Sequence, residues 1–216
     1  MKKRVFAFLL ALAVLGCCVL PSFAAGRSSA DSGKTVAKLY LCHRWSGPPS
    51  LGHMWVYIEN LTGKPIQVGL YKVPAKQGVS VGNFGLTRAD GNGTYYNVEA
   101  YCGNHFSLSG MVSNSTDLTQ SELESISSEI RNHNHWAFFG SNCSDFAVRI
   151  WSLGGGELTI SYVLPVFTKW QMKMHGDEGY VQMTNVSASQ VKKQVGEGDS
   201  ATLVTCSPGT IAKEIG

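Results

Sequence analysis

In "GSNCSDFAVRIW", residues 140–151, a single cysteine follows a glycine-marked turn and opens an apolar pattern of helical period. At a helix start, unpaired backbone N–H groups and the positive end of the helix dipole stabilise a thiolate, so Cys143 is placed to be a nucleophile at neutral pH. The same amides bind the oxyanion of a tetrahedral intermediate, which makes the Cys143 backbone N–H and Asn142 the oxyanion candidates. A nucleophile of this kind needs a base. His53 follows Gly52 and begins an aromatic-rich run, where a strand end sets an imidazole at the rim of a sheet. Gln67 lies fourteen residues further on, in "PIQVG", and a polar side chain there is expected to fix the tautomer of His53 from its far nitrogen.

Two other constellations compete. Cys42 and His43 are adjacent on a strand, so their side chains point to opposite faces and cannot act as a pair; His43 stays as a minor alternative base. "NHNHW" sets His133 and His135 two apart, but no further ligand pair has structural-zinc spacing, and neither a metal nor a cofactor is expected. Five Asn-x-Ser/Thr sequons, at Asn60, Asn92, Asn114, Asn142 and Asn185, are attributed to chance.

The elements that must position these residues follow from periodicity. "TVAKLYLC" (35–42) and "HMWVYIEN" (53–60) read as strands, separated by a loop rich in proline and glycine. "PIQVGLYKV" (65–73) is expected to return as the antiparallel partner of 53–60, and "TYYNVEAYC" (94–102) as another strand. In "TQSELESISSEIRNH" (119–133), Thr119 and Glu122 form a capping box, and Leu123, Ile126 and Ile130 share one helical face. "CSDFAVRIWSLGGG" predicts a largely buried helix closed by the glycines at 154–156. Later signals are weaker: a short helix after Pro165, and "YVQMT" and "ATLVTC" as strands around a helical "SASQVKKQV".

The chain has 216 residues and opens "MKKRVFAFLLALAVLGCCVLPSFAAG", a basic start, an apolar run and small residues near Ala24. This reads as a signal peptide over 1–25, followed by a flexible leader at 26–34, so the protein is expected outside the cytoplasmic membrane. Lipid attachment at Cys17 is the lesser expectation, because the residues after it are apolar rather than a polar tether. No later stretch is long and apolar enough for a transmembrane helix. With Lys2, Lys3 and Arg4 removed, the formal charge of +3 falls to about zero, which gives nucleic-acid binding no electrostatic support. Four cysteines follow the signal. In an oxidising compartment two disulfides are the ordinary outcome; one bridge among Cys42, Cys102 and Cys206 that leaves Cys143 free is the open alternative.

"GHMWVYIEN", a returning strand with a polar residue, a capped helix and "GSNCSDFAVRIW" together resemble the circularly permuted NlpC-like branch of the papain-fold superfamily, across about residues 36–170. Relatives in that branch include lecithin:retinol acyltransferase, permuted bacterial NlpC-type hydrolases and eukaryotic deubiquitinating and deSUMOylating peptidases. The resemblance implies an α+β fold in which an antiparallel sheet packs against helices and the histidine strand precedes the nucleophile helix. It implies a catalytic domain at 35–176, with Cys143 as nucleophile, His53 as base and Gln67 as orienting residue. It says nothing of a C-terminal extension at 177–216. The expected activity is a secreted cysteine hydrolase that cleaves an amide bond, most readily in cell-wall peptides such as those of peptidoglycan. The alternatives are a lipid or fatty-amide acyl hydrolase or acyltransferase, and a binding module that kept the fold without the chemistry. Trp45, Trp55 and Trp170, read as exposed aromatics, do not separate these.

Overall fold

The structure is a computed structural model that describes residues 33–44, 52–85, 91–105, 108, 111–138, 140–156 and 179–207. The signal segment, Cys17, Trp45, Trp170 and the helix expected after Pro165 lie outside the described residues. Strands β1 (Ala37–Arg44) and β2 (His53–Asn60) pair antiparallel along their whole length. β2 alternates aromatic and β-branched residues from Trp55 to Ile58, which suits a strand covered on both faces. Strands β5 (Gly78–Phe84), β6 (Gly93–Tyr96), β7 (Met111–Leu118), β8 (Lys192–Val195) and β9 (Thr202–Thr205) complete a seven-stranded sheet. Its order is β7-β1-β2-β5-β6-β8-β9, and every pairing is antiparallel. A separate two-stranded hairpin pairs β3 (Ile66–Val68) with β4 (Tyr71–Val73).

Three α-helices flank the sheet among the described residues: α1 (Val98–His105), α2 (Gln120–Arg131) and α3 (Cys143–Leu153). On one face, Met54, Val56 and Ile58 of β2 meet Ile126 and Ile130 of α2 and Phe146 and Ile150 of α3. On the other, Trp55 and Tyr57 meet Val98 and Cys102 of α1 and Val181, Met183 and Val191 of the C-terminal segment. Each fully buried aliphatic or aromatic side chain contributes roughly 1.5–3 kcal/mol. The fold is α+β, as the sequence implied.

Several local expectations change. Residues 65–73 do not form one strand paired with β2. Gly69, at φ +56, reverses the chain within two residues, so the segment folds on itself, and β2 takes β5 as its second partner. "TYYNVEAYC" stops being a strand at Tyr96. Asn97 adopts φ +66, and the helix α1 starts at the next residue. β5 is not legible, because "GVSVGNF" is buried at every position and so shows no alternation; β7, "MVSNSTDL", is mostly polar and carries no apolar strand pattern. Only Ala188–Gln190 of "SASQVKKQV" is helical, as a single 3-10 turn; Lys192–Val195 extends because β6 and β9 pair with it on either side. "YVQMT" is not a strand, and Trp55 is wholly buried rather than exposed. The C-terminal segment shares the sheet and the second core instead of extending beyond them.

One helix start and one helix end match their sequence signals. Thr119 accepts from Glu122 N while Glu122 reaches back to Thr119 N at 2.8 Å. Gly154 and Gly155, the latter at φ +76, end α3. Among the described residues no helix is long and apolar enough to cross a membrane.

Candidate active site

Asn142 sets the start of α3. Its Oδ1 accepts from Ser144 N at 2.8 Å and Asp145 N at 3.1 Å, and Asp145 Oδ2 accepts from Asn142 N at 3.1 Å. Asn142 Nδ2 donates to Phe138 O at 3.0 Å, which ties the approach loop to the cap. Phe146 N bonds Asn142 O, so the amides of Ser144, Asp145 and Phe146 are all consumed. Of the two oxyanion candidates, Asn142 is committed to the cap. The Cys143 N–H is the first-turn amide that these bonds leave for a ligand.

Cys143 is the first residue of α3 and His53 the first of β2, and α3 packs directly on β2. The structure brings the thiol and the imidazole into hydrogen-bond contact. Burial would raise the pKa of Cys143, but the hydrogen bond and charge of His53, the Met54 backbone amide and the Ser144 hydroxyl outweigh it and hold the thiol below its ordinary value. For His53, burial opposes the imidazolium, while the contacts with Cys143 and Glu99 lift its pKa from 6.5 to about 9. Both shifts favour the thiolate–imidazolium form of the pair over the neutral one.

The third member is Glu99. Its Oε1 lies 3.0 Å from His53 Nε2, and the Glu99 side chain is wholly buried while that of His53 is 13% exposed. Because Glu99 engages Nε2, Nδ1 is the nitrogen left for Cys143, with the two partners on opposite sides of the ring. The ring itself is held between Trp55, stacked at 5.6 Å and 16°, and Phe84 at 4.5 Å.

The orienting role expected of Gln67 is corrected by this geometry. Gln67 sits on the β3–β4 hairpin, and its Nε2 donates to Gly69 O at 3.1 Å. It lines a groove of about 510 Å³ beside α2, together with Glu124, Ser128 and Arg131, rather than the Cys143 site. Glu99 escaped sequence reading because it fell inside an expected strand. The signal that would have found it is Asn97, a turn former, directly before the helix-compatible "VEAYC".

His43 is wholly buried in the middle of the sheet, opposite Met54 of β2 and Val112 of β7. His133 and His135 stack at 4.6 Å, but among the described residues no three His, Cys, Asp or Glu side chains gather as metal ligands would. His133 is buried against Asn83, whose Nδ2 lies 3.1 Å from His133 Nε2 and donates to His135 O at 2.9 Å. All four described cysteines are free thiols, so neither the two disulfides nor the single bridge among Cys42, Cys102 and Cys206 is formed. Burial pushes Cys42 well up and Cys102 to about 12, which makes both inert where Cys143 is activated.

The chain matches no protein-family model, no curated protein and no solved structure.

Proposed function

We propose that the chain is a secreted cysteine hydrolase with a circularly permuted papain-like fold, cleaving an amide bond in cell-wall peptides. The observation that carries the reading is the line Cys143–His53–Glu99, with the thiol at a helix start and a buried carboxyl behind the imidazole. The order of the elements supports the permuted assignment, since the histidine strand precedes the cysteine helix.

In this mechanism the Cys143 thiolate attacks the carbonyl carbon and the carbonyl electron pair moves to oxygen, where the Cys143 N–H donates to it. Collapse breaks the C–N bond, and the leaving amine takes the proton held on His53 Nδ1. Water then gives a proton to His53 and attacks the thioester. The acid leaves, the C–S bond breaks, and the thiolate–imidazolium pair returns. Glu99 keeps the proton on Nε2 and holds the ring in plane throughout.

One observation favours a second reading, an acyl-lipid or fatty-amide substrate. Phe138, whose carbonyl is bonded to the nucleophile's cap, is 46% exposed, and Trp136 covers Gly85 next to the ring that contacts His53. Such an aromatic rim suits an apolar acyl chain. Incubation with purified peptidoglycan stem peptides and, separately, with phospholipid and N-acyl substrates decides between them. Stem-peptide cleavage that disappears in Cys143→Ala is the expected result, and acyl release alone replaces the first reading with the second. A binding module would show neither. Its Cys143 would also be alkylated at pH 6 no faster than free cysteine.

A further inference from the structure

The carboxyl that meets His53 arrives from a helix whose own cap residue does not cap it. Asn97 precedes α1 at φ +66 and sends its Nδ2 to Gln190 O at 3.1 Å. The capping task falls to Ser80, across the sheet in β5. Ser80 Oγ accepts from Ala100 N at 3.1 Å, the third amide of α1, and Ser80 O accepts from Asn97 N at 2.8 Å. The same Oγ donates its one proton to Glu99 Oε2 at 2.8 Å. The hydroxyl's one proton is therefore committed, and both its partners belong to the first turn of α1.

Two residues further along β5, on the same face, stands Gly82. A Cβ there would lie 2.0 Å from Glu99 Oε1 and 2.9 Å from Phe84 Cε2. These belong to the carboxyl and the ring that flank His53. No backbone need explains this glycine, since its φ is not in the left-handed region and it pairs regularly with Trp55 and Tyr95. What it supplies is space.

We propose that Ser80 and Gly82 form a seat for the Glu99 carboxyl, Ser80 by donating to Oε2 and Gly82 by leaving the volume that Oε1 crosses, and that this seat sets the hydrogen bond from His53 Nε2. They are positioning residues for the Cys143–His53 pair, and the inference rests on that reading of the site. Removing either lets or forces the carboxyl away from the ring, so the imidazolium loses its buried partner.

The test is an NMR titration of the His53 ring in full-length, histidine-labelled protein, with iodoacetamide labelling of Cys143 at pH 6 alongside. In the unmodified chain the His53 midpoint is expected near 9. Gly82→Ala, Ser80→Ala and Glu99→Gln should each lower it by about one pH unit or more, because each removes the charge partner from its place. Ser80→Ala deletes a single oxygen, which keeps the test open where Gly82→Ala does not fold; a thermal melt identifies that case. A midpoint still near 9 in a folded variant overturns the seat, because a purely structural role would lower stability without moving His53. A midpoint near 6.5 in the unmodified chain, with slow labelling of Cys143, overturns the Cys–His pair itself and the seat with it.

Discussion

Two histidines in this molecule are displaced in opposite directions, and each displacement has a separate cause. His53 is raised to about 9 because burial, which disfavours its charge, is outweighed by Cys143 and Glu99. His133 is lowered to about 4, chiefly by burial and then by the charges of His135 and Arg149. Asn83 accounts for the tautomer of His133. Its Nδ2 is a donor to His135 O, so the His133 Nε2 beside it must accept and the proton must sit on Nδ1, where Glu129 Oε1 lies 3.9 Å away. The consequences for pH differ in sign. The raised His53 contributes stability that is complete below its unfolded value of 6.5 and is lost as pH rises through about 9. The lowered His133 takes up its proton only in the unfolded chain, so its stability is lost as pH falls from 6.5 through about 4. Melting temperature should fall across that acid window, and His133→Gln should flatten the fall. For catalysis, kcat/KM should be bell-shaped, rising through the depressed thiol of Cys143 and falling near 9 as His53 loses the proton owed to the leaving group. A profile that rises with an ordinary thiol value would remove the ion pair. Cys143→Ala should abolish acyl-enzyme formation, and His53→Ala should cost about 10²- to 10⁴-fold in rate.

At the scale of elements, legibility depended on whether a segment's period survives its burial. β2 and the two capped helices were readable because their signals are local: a Gly-His strand entry, the Thr119–Glu122 box, and glycines after Leu153. Cys143 and His53 were legible for that reason. The helix carrying Glu99 was not, since "TYYNVEAYC" changes from strand to helix at a single positive-φ asparagine, and its cap lies in another strand. The role expected of Gln67 requires 65–73 to pair with β2, whereas Gly69 turns the segment back on itself. The cap of α3 offers a test at this level. Asn142→Ala removes the acceptor for Ser144 N and Asp145 N and the donor to Phe138 O, so it should cost about 0.5–2 kcal/mol in stability. It should also lower kcat, because the same loop presents the Cys143 N–H. Thr119→Ala removes an equivalent cap far from the site and should cost similar stability with no loss of kcat. Equal effects of the two on kcat, measured beside denaturant unfolding, would deny the cap of α3 any part in the site.

Taken whole, the molecule encloses the Cys143–His53–Glu99 line between two cores that one sheet separates. Cys143 comes from the face covered by α2 and α3, and Glu99 from the face covered by α1 and the C-terminal segment. That segment is therefore part of what holds the site, although sequence reading placed it outside the domain. Val181, Met183, Val186 and Val191 are all buried by it. At roughly 1.5–3 kcal/mol each, they supply an amount comparable with the whole stability of a typical domain. Its polar anchors point the same way. Gln194 accepts from Tyr96 Oη at 3.0 Å and donates to Arg131 O at 2.7 Å, and Thr184 Oγ1 accepts from Gly78 N at 2.8 Å. A chain ended after residue 176 would lose β8 and β9 and uncover Trp55 and Tyr95 on the second face. It should lack a cooperative thermal transition and bind a hydrophobic dye, and His53 should lose its elevated titration because α1 no longer has a covered face to pack on. A truncated chain that melts like the full one, with Cys143 still rapidly alkylated at pH 6, would instead make residues 177–216 an independent appendage.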